Sequence, residues 1–270
     1  MDEVLQAEMR EGAEAPVPVH PPRRARPDVK IDMLRADARL RLWRHAGKSD
    51  RLVVCFSGVG RNGKQPPRLE FAKTASAAGR DHALYLADPA RSWLNAPGLI
   101  EEMVEIIEAE VARLGVREVV AMGHSLGGFS ALVLSGFTRF DRVLALSPQL
   151  SVDPDIVPDE RRWAQFRARI ETIRVHQAGD HMAAQTQHCI IFGRNRREAP
   201  QLRLLRPAEN VQVFLLPKVQ HDSVKRLYDA GILDDVVQLA LGGRVRKLRQ
   251  MLKAQMRAVQ IGPAIEEEAA

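Results

Sequence analysis

The stretch from Glu118 to Leu134, EVVAMGHSLGGFSALVL, constrains the fold more than any other part of the chain. An apolar run, Val119 to Met122, stops at Gly123-His124-Ser125-Leu126-Gly127-Gly128, and apolar residues at helical spacing (Phe129, Leu132, Val133) follow at once. The pattern predicts a strand, a sharp turn with a serine at its apex, and a helix. Side-chain-free neighbours at Gly123 and Gly127 let strand and helix approach closely enough to hold such a turn. The Ser125 hydroxyl is then presented above the sheet edge, and the amide of Leu126, at the helix N-terminus, is available to a developing oxyanion. The competing reading is a structural turn whose serine only caps the helix. A base and a second oxyanion donor elsewhere in the chain decide between them.

The chain around this elbow alternates strand and helix. Its 270 residues suffice for one large α/β domain with a full core. Lys30 to His45 reads as two antiparallel edge strands, with Leu40 and Leu42 alternating with Arg39 and Arg41. RLVVCF (51–56) is a continuous apolar run of the kind buried on both faces of a parallel sheet. Helices are expected over 67–78, 98–114, 159–175 (an arginine-laden segment that would form a modest lid), 199–205, 234–241 and 245–259. Further strands are expected over 82–86, 142–146, 188–192 and 211–216. Alternation of this kind specifies a mainly parallel central sheet flanked by helices. Three segments follow: a flexible Pro/Arg-rich tail (1–29), an α/β domain (30–243), and a basic C-terminal helix with an acidic tail (244–270).

Composition narrows the function classes. A formal charge of +6, carried mostly by arginine, permits acidic partners, but nothing resembles a nucleic-acid motif. No apolar run approaches the length of a membrane span. Cys55 and Cys189 stand alone inside apolar strands, as inert core thiols of a reducing compartment do, and the start of the chain lacks a signal core, so the expected location is cytoplasmic. His176, His181 and His188 lack a supporting ligand pattern, so neither a metal nor another cofactor is expected.

A serine hydroxyl needs a base held by a carboxylate. Only His176, His181, His188 and His221 lie beyond Ser125, and His221 alone follows the final apolar strand by a short loop and opens a helix. The acid stays open between two residues. Glu198 is the first carboxylate after the strand HCIIF, in the loop GRNRRE; Asp153 follows the preceding strand. Asn195 would orient an imidazole more weakly, and Asp222 is too close in sequence to aim at its neighbour's ring. The loop after RLVVCF, with Ser57, Gly58 and Val59, lies where a second oxyanion donor belongs. Arg61, Lys64, Arg91, Arg194, Arg196 and Arg197 fall on loops after strands, and Arg61 and Arg194, with His124 and Trp93, are candidates to contact substrate.

With GHSLGG at the nucleophile, FSGVG at the oxyanion loop and His221 after the last strand, the chain resembles the α/β-hydrolase superfamily over roughly residues 30–241. VVCFSGVG, RSWLN, GHSLGGFSAL, ALSPQLSVDP and QHDSVKRLYDAGIL are, together, similar to bacterial hydrolase-like proteins associated with surface-polysaccharide genes. The resemblance implies an α/β-hydrolase fold with a small or absent cap. It also implies hydrolysis or transfer of a carboxylic ester or thioester acyl group from a small-molecule or glycan-linked substrate. Family members usually carry Asp where this chain has GRNRRE. The alternative class is a non-hydrolytic binding or assembly protein that uses the basic last helix to meet a protein partner or a second copy.

Overall fold

The computed structural model describes residues 28–60, 63–206 and 208–261. One nine-stranded sheet runs through them. Its strands are β1 (Asp32–Ala36), β2 (Arg41–His45), β3 (Arg51–Phe56), β4 (His82–Ala87), β5 (Glu118–His124), β6 (Arg142–Leu146), β7 (Gln187–Arg194), β8 (Val211–Pro217) and β9 (Val259–Ile261), in the spatial order β1-β2-β4-β3-β5-β6-β7-β8-β9. The six strands from β4 to β8 in that order are parallel, while β1 pairs antiparallel with β2, β2 with β4 and β9 with β8.

The helices are α1 (Ala72–Ala75), α2 (Leu99–Leu114), α3 (Leu126–Leu134), α4 (Ala164–Arg167), α5 (Ala199–Leu202), α6 (Ser223–Asp229), α7 (Leu233–Leu241) and α8 (Val245–Met256). Successive side chains of a strand point to opposite faces, so the central strands feed two cores. Leu52, Val54 and Phe56 of β3 pack with α2 and α3, whereas Val53 and Cys55 pack on the opposite face with α7 and α8. In α2 the buried positions Leu99, Met103, Ile107 and Glu110 follow the helical period, and Gly115, at φ 62°, closes it by donating to the Val111 carbonyl.

The sequence overstates several helices. Between 67 and 78 only Ala72–Ala75 is helical, because Phe71, Ala77 and Ala78 adopt left-handed backbone on either side, after a proline pair. Between 159 and 175 only Ala164–Arg167 forms a turn of helix. Trp163 is left-handed there, and Arg167 donates to the carbonyls of Val152 and Glu160, so side chains rather than a helical ladder tie the segment down. The basic last helix also ends early, at Met256. Arg257 turns left-handed, and the chain continues into β9 against β8, while Leu248 and Leu252 of α8 enter the core beneath the sheet.

Candidate active site

β5 runs directly into α3 through Ser125, whose backbone sits at φ 56°, ψ −117°. A non-glycine residue rarely holds a positive φ unless its surroundings impose it. Here a Cβ on Gly123 would run into the backbone of Gly127, and one on Gly127 would run into the carbonyl of Phe56. The two glycines therefore make the elbow possible, and the Ser125 amide fixes its strand side by donating to Leu146 O (3.0 Å).

His221 lies between β8 and α6, and its Nε2 is 2.9 Å from Ser125 Oγ. Three contacts hold it there. Gly193, near the end of β7, leaves room for the Val219 and Gln220 carbonyls, which a Cβ would strike. Ser147, itself left-handed at the end of β6, donates its hydroxyl to Ser223 Oγ (2.7 Å), two residues past His221. His124, the residue before the nucleophile, donates from Nε2 to the His221 carbonyl (3.1 Å), its ring tilted against the His221 ring at 5.1 Å. Burial, followed by the nearby His221 ring, pushes the His124 imidazole down to about 4, so the ring is neutral near pH 7.

Behind His221 stands Glu198, fully buried, in the single 3₁₀ turn Arg196–Glu198 that follows β7. Its Oε1 is 3.3 Å from His221 Nδ1. Its Oε2 is buried without a hydrogen-bond partner among the described residues. Asp153 faces elsewhere: its Oδ2 is 2.6 Å from His176 Nδ1, and its Oδ1 accepts the Asp155 amide. Burial opposes ionisation of Asp153, but the His176 contact outweighs it and holds the carboxyl below its usual range. Asn195 accepts the amide of Arg197, and Asp222 occupies the N-cap position of α6.

A residue that the sequence did not single out sits at the centre of this arrangement. Arg162 places Nη1 2.6 Å from His221 Nδ1 and 2.8 Å from Glu198 Oε1. Glu160 anchors the same guanidinium through Nε to Oε1 (2.9 Å) and Nη2 to Oε2 (2.5 Å), and Gln201 donates to Glu160 Oε2. Burial alone would raise the Glu160 carboxyl; Arg162 overrides it and holds the group down to about 2. A guanidinium can only donate, so in this arrangement a neutral His221 carries its proton on Nε2, facing Ser125.

Two of the three amides in the loop after β3 are already engaged. Ser57 donates to the Leu86 carbonyl (2.9 Å), and Gly58 donates to Glu70 Oε2 (3.2 Å). Neither contact uses the amide of Val59, whose carbonyl accepts Arg91 Nε at 3.0 Å. Burial pushes the Glu70 carboxyl up to about 7, against the pull of the Gly58 amide. Arg91 is buried and also donates to the carbonyls of Pro89 and Gln65, so it staples this loop. Trp93 is fully buried in the core at φ 48°, and its indole N–H has no partner among the described residues. Arg194 is exposed at the end of β7, and Arg61 lies outside the described residues.

A parallel sheet with a serine elbow at the carboxyl end of its central strand defines the α/β-hydrolase class. The family model described as "Putative esterase" matches residues 41–199, more than half of the chain, and the protein belongs to that Esterase family. Among solved structures, the capsule O-acetyltransferase of Neisseria meningitidis serogroup A is similar, with a TM-score of 0.56 at 12% identity, covering 76% of this chain and 93% of that one. Est1E from Butyrivibrio proteoclasticus is similar with a TM-score of 0.51 at 15% identity, covering 77% and 98%. At these identities the likeness is one of fold. Family and fold together support an ester-cleaving or acyl-transferring enzyme.

Proposed function

We propose that the protein is a serine hydrolase that cleaves a carboxylic ester or thioester through an acyl-enzyme on Ser125. The observation that carries this reading is the 2.9 Å contact between His221 Nε2 and Ser125 Oγ, with the buried Glu198 carboxylate behind the same ring. His221 is the base, Glu198 the acid of the triad, and the amides of Leu126 and Val59 the oxyanion donors. Each such donor is worth about 3 kcal/mol in the transition state. Ser125 Oγ attacks the carbonyl carbon while its proton passes to Nε2. The proton then goes to the departing alcohol or thiol as the C–O or C–S bond breaks, and water repeats the sequence to release the acid.

The base step needs the Nδ1–H tautomer, opposite to the one that Arg162 favours. A shift of the Arg162 guanidinium off Nδ1 would let Nδ1–H donate to Glu198, whose Oε2 has no other partner among the described residues. Oxyanion donation from Val59 is preferred to Ser57 or Gly58 because the latter amides have other acceptors.

Acyl transfer is the second reading, favoured by the fold it shares with a capsule O-acetyltransferase. The same residues serve both, and only the acceptor of the acyl group differs. Steady-state assays over p-nitrophenyl esters of increasing chain length, acetyl thioesters and acetylated sugars, with and without free sugar acceptors, test the proposal. Hydrolysis that falls by at least about 10⁴-fold in Ser125→Ala is expected. Absence of turnover on every ester and thioester, or turnover equal in Ser125→Ala, overturns it.

A further inference from the structure

A cavity of about 720 Å³ opens behind the His221 ring, bounded by the segments after β6 and β7. Five arginines line it: Arg161, Arg162, Arg196, Arg197 and Arg203. Three carboxylates share the wall, but Glu160 and Glu198 are already engaged by Arg162, which leaves Asp159. Arg161, Arg196, Arg197 and Arg203 are exposed and form no ion pair among the described residues. Among the described residues, Arg197 reaches only the Gln220 amide oxygen, at 3.5 Å. Four exposed cationic forks around one hollow leave it net positive, and planar guanidiniums match phosphate oxygens in pairs. The volume exceeds what a single inorganic ion fills and is typical of a small-molecule site.

We propose that this cavity is a binding site for the diphosphate portion of a small molecule, held by Arg161, Arg196, Arg197 and Arg203, with Arg162 at its inner end. A diphosphate seated there offers Arg162 Nη1 an acceptor in place of His221 Nδ1, so occupancy favours the tautomer in which His221 can act as base. This bearing on turnover rests on the hydrolase reading above; the binding itself does not.

Calorimetric titration of the full-length protein with sodium pyrophosphate tests the site. Saturable binding that weakens with added NaCl is expected. The affinity should fall tenfold or more in Arg196→Gln/Arg203→Gln and, separately, in Arg161→Gln, each judged only on protein whose circular dichroism matches wild type. Ser125→Ala should bind as wild type does, which keeps the result independent of catalysis. No saturable binding at millimolar pyrophosphate, or equal affinity in the correctly folded variants, overturns the proposal.

Two kinetic arms identify the source of the diphosphate. If it is a free effector, pyrophosphate raises turnover of p-nitrophenyl acetate. If it belongs to the substrate, pyrophosphate competes with acetyl-coenzyme A, and the arginine variants lose kcat/KM on that thioester tenfold or more relative to p-nitrophenyl acetate. Either pattern supports the site; both absent in an enzyme active on both substrates rejects its role in turnover.

Discussion

Arg162 Nη1 stands 2.6 Å from His221 Nδ1, the ring nitrogen turned away from Ser125. Because the guanidinium can only donate, the free protein should hold neutral His221 as the Nε2–H tautomer. Nitrogen-15 shifts of the imidazole at a pH where the ring is neutral measure this directly. Nδ1–H as the dominant form would show that Arg162 does not set the resting proton.

Arg162 also sits between two buried carboxylates, Glu160 and Glu198. Replacing it with methionine leaves both charges without their cation, a loss that typically costs about 3–5 kcal/mol. Urea denaturation of Arg162→Met should show destabilisation of this size. A change below about 1 kcal/mol would mean that the pair contributes little.

The two acids left open by the sequence stand beside different histidines: Glu198 beside His221, and Asp153 beside His176. Glu198→Gln should lower kcat about 10²–10⁴-fold with a small change in KM, and Asp153→Asn should stay within about threefold of wild type. The reverse ranking would move the acid of the proposed triad to Asp153.

Glu70 links the loop after β3 to pH. Its carboxyl is raised from 4.5 to about 7 in the folded protein, so the native state holds a proton that the unfolded chain has lost. The associated stability is fully present below pH 4.5 and is lost as pH rises through about 7. Glu70→Gln keeps an acceptor for the Gly58 amide and cannot ionise. Its melting temperature should therefore depend less on pH over this window, and it should exceed wild type at pH 8 by the equivalent of about 1–3 kcal/mol. Parallel melting curves for the two proteins would contradict the raised carboxyl.

His124 behaves in the opposite sense. Its pKa is depressed from 6.5 to about 4, so its contribution is present above pH 6.5 and is lost as pH falls toward 4. His124→Phe fills the same space without donating to the His221 carbonyl. We expect about a tenfold loss of kcat and a weaker acid limb in the stability profile, read by kinetics and by thermal melts from pH 4 to 7. Unchanged kcat would show that His221 needs no such brace.

The elbow and the parallel sheet were legible because their causes are local: glycines at 123 and 127, apolar runs of strand length, and helices of clear period. His221 was legible as a candidate from its place after the last strand. The choice between Glu198 and Asp153 was not, since both follow strands at one sheet edge and only tertiary placement sets their neighbours. Arg162 carried no signal, because its partners Glu198 and His221 lie 36 and 59 residues away and the segment read as a helix. Trp93 was a candidate for substrate contact from its loop position, whereas the structure buries it in the core, and Arg91, on the same loop, is buried against the Val59 carbonyl. Glu70 was hidden in a segment read as helix, where a carboxylate reads as a solvated residue.

Whether His221 activates Ser125 as a nucleophile is read out by fluorophosphonate labelling followed by peptide mass spectrometry. A single adduct is expected on the peptide containing Ser125, absent in Ser125→Ala and formed at least about 10²-fold more slowly in His221→Ala. No adduct in folded wild type, or an adduct that persists in Ser125→Ala at the same rate, would contradict it.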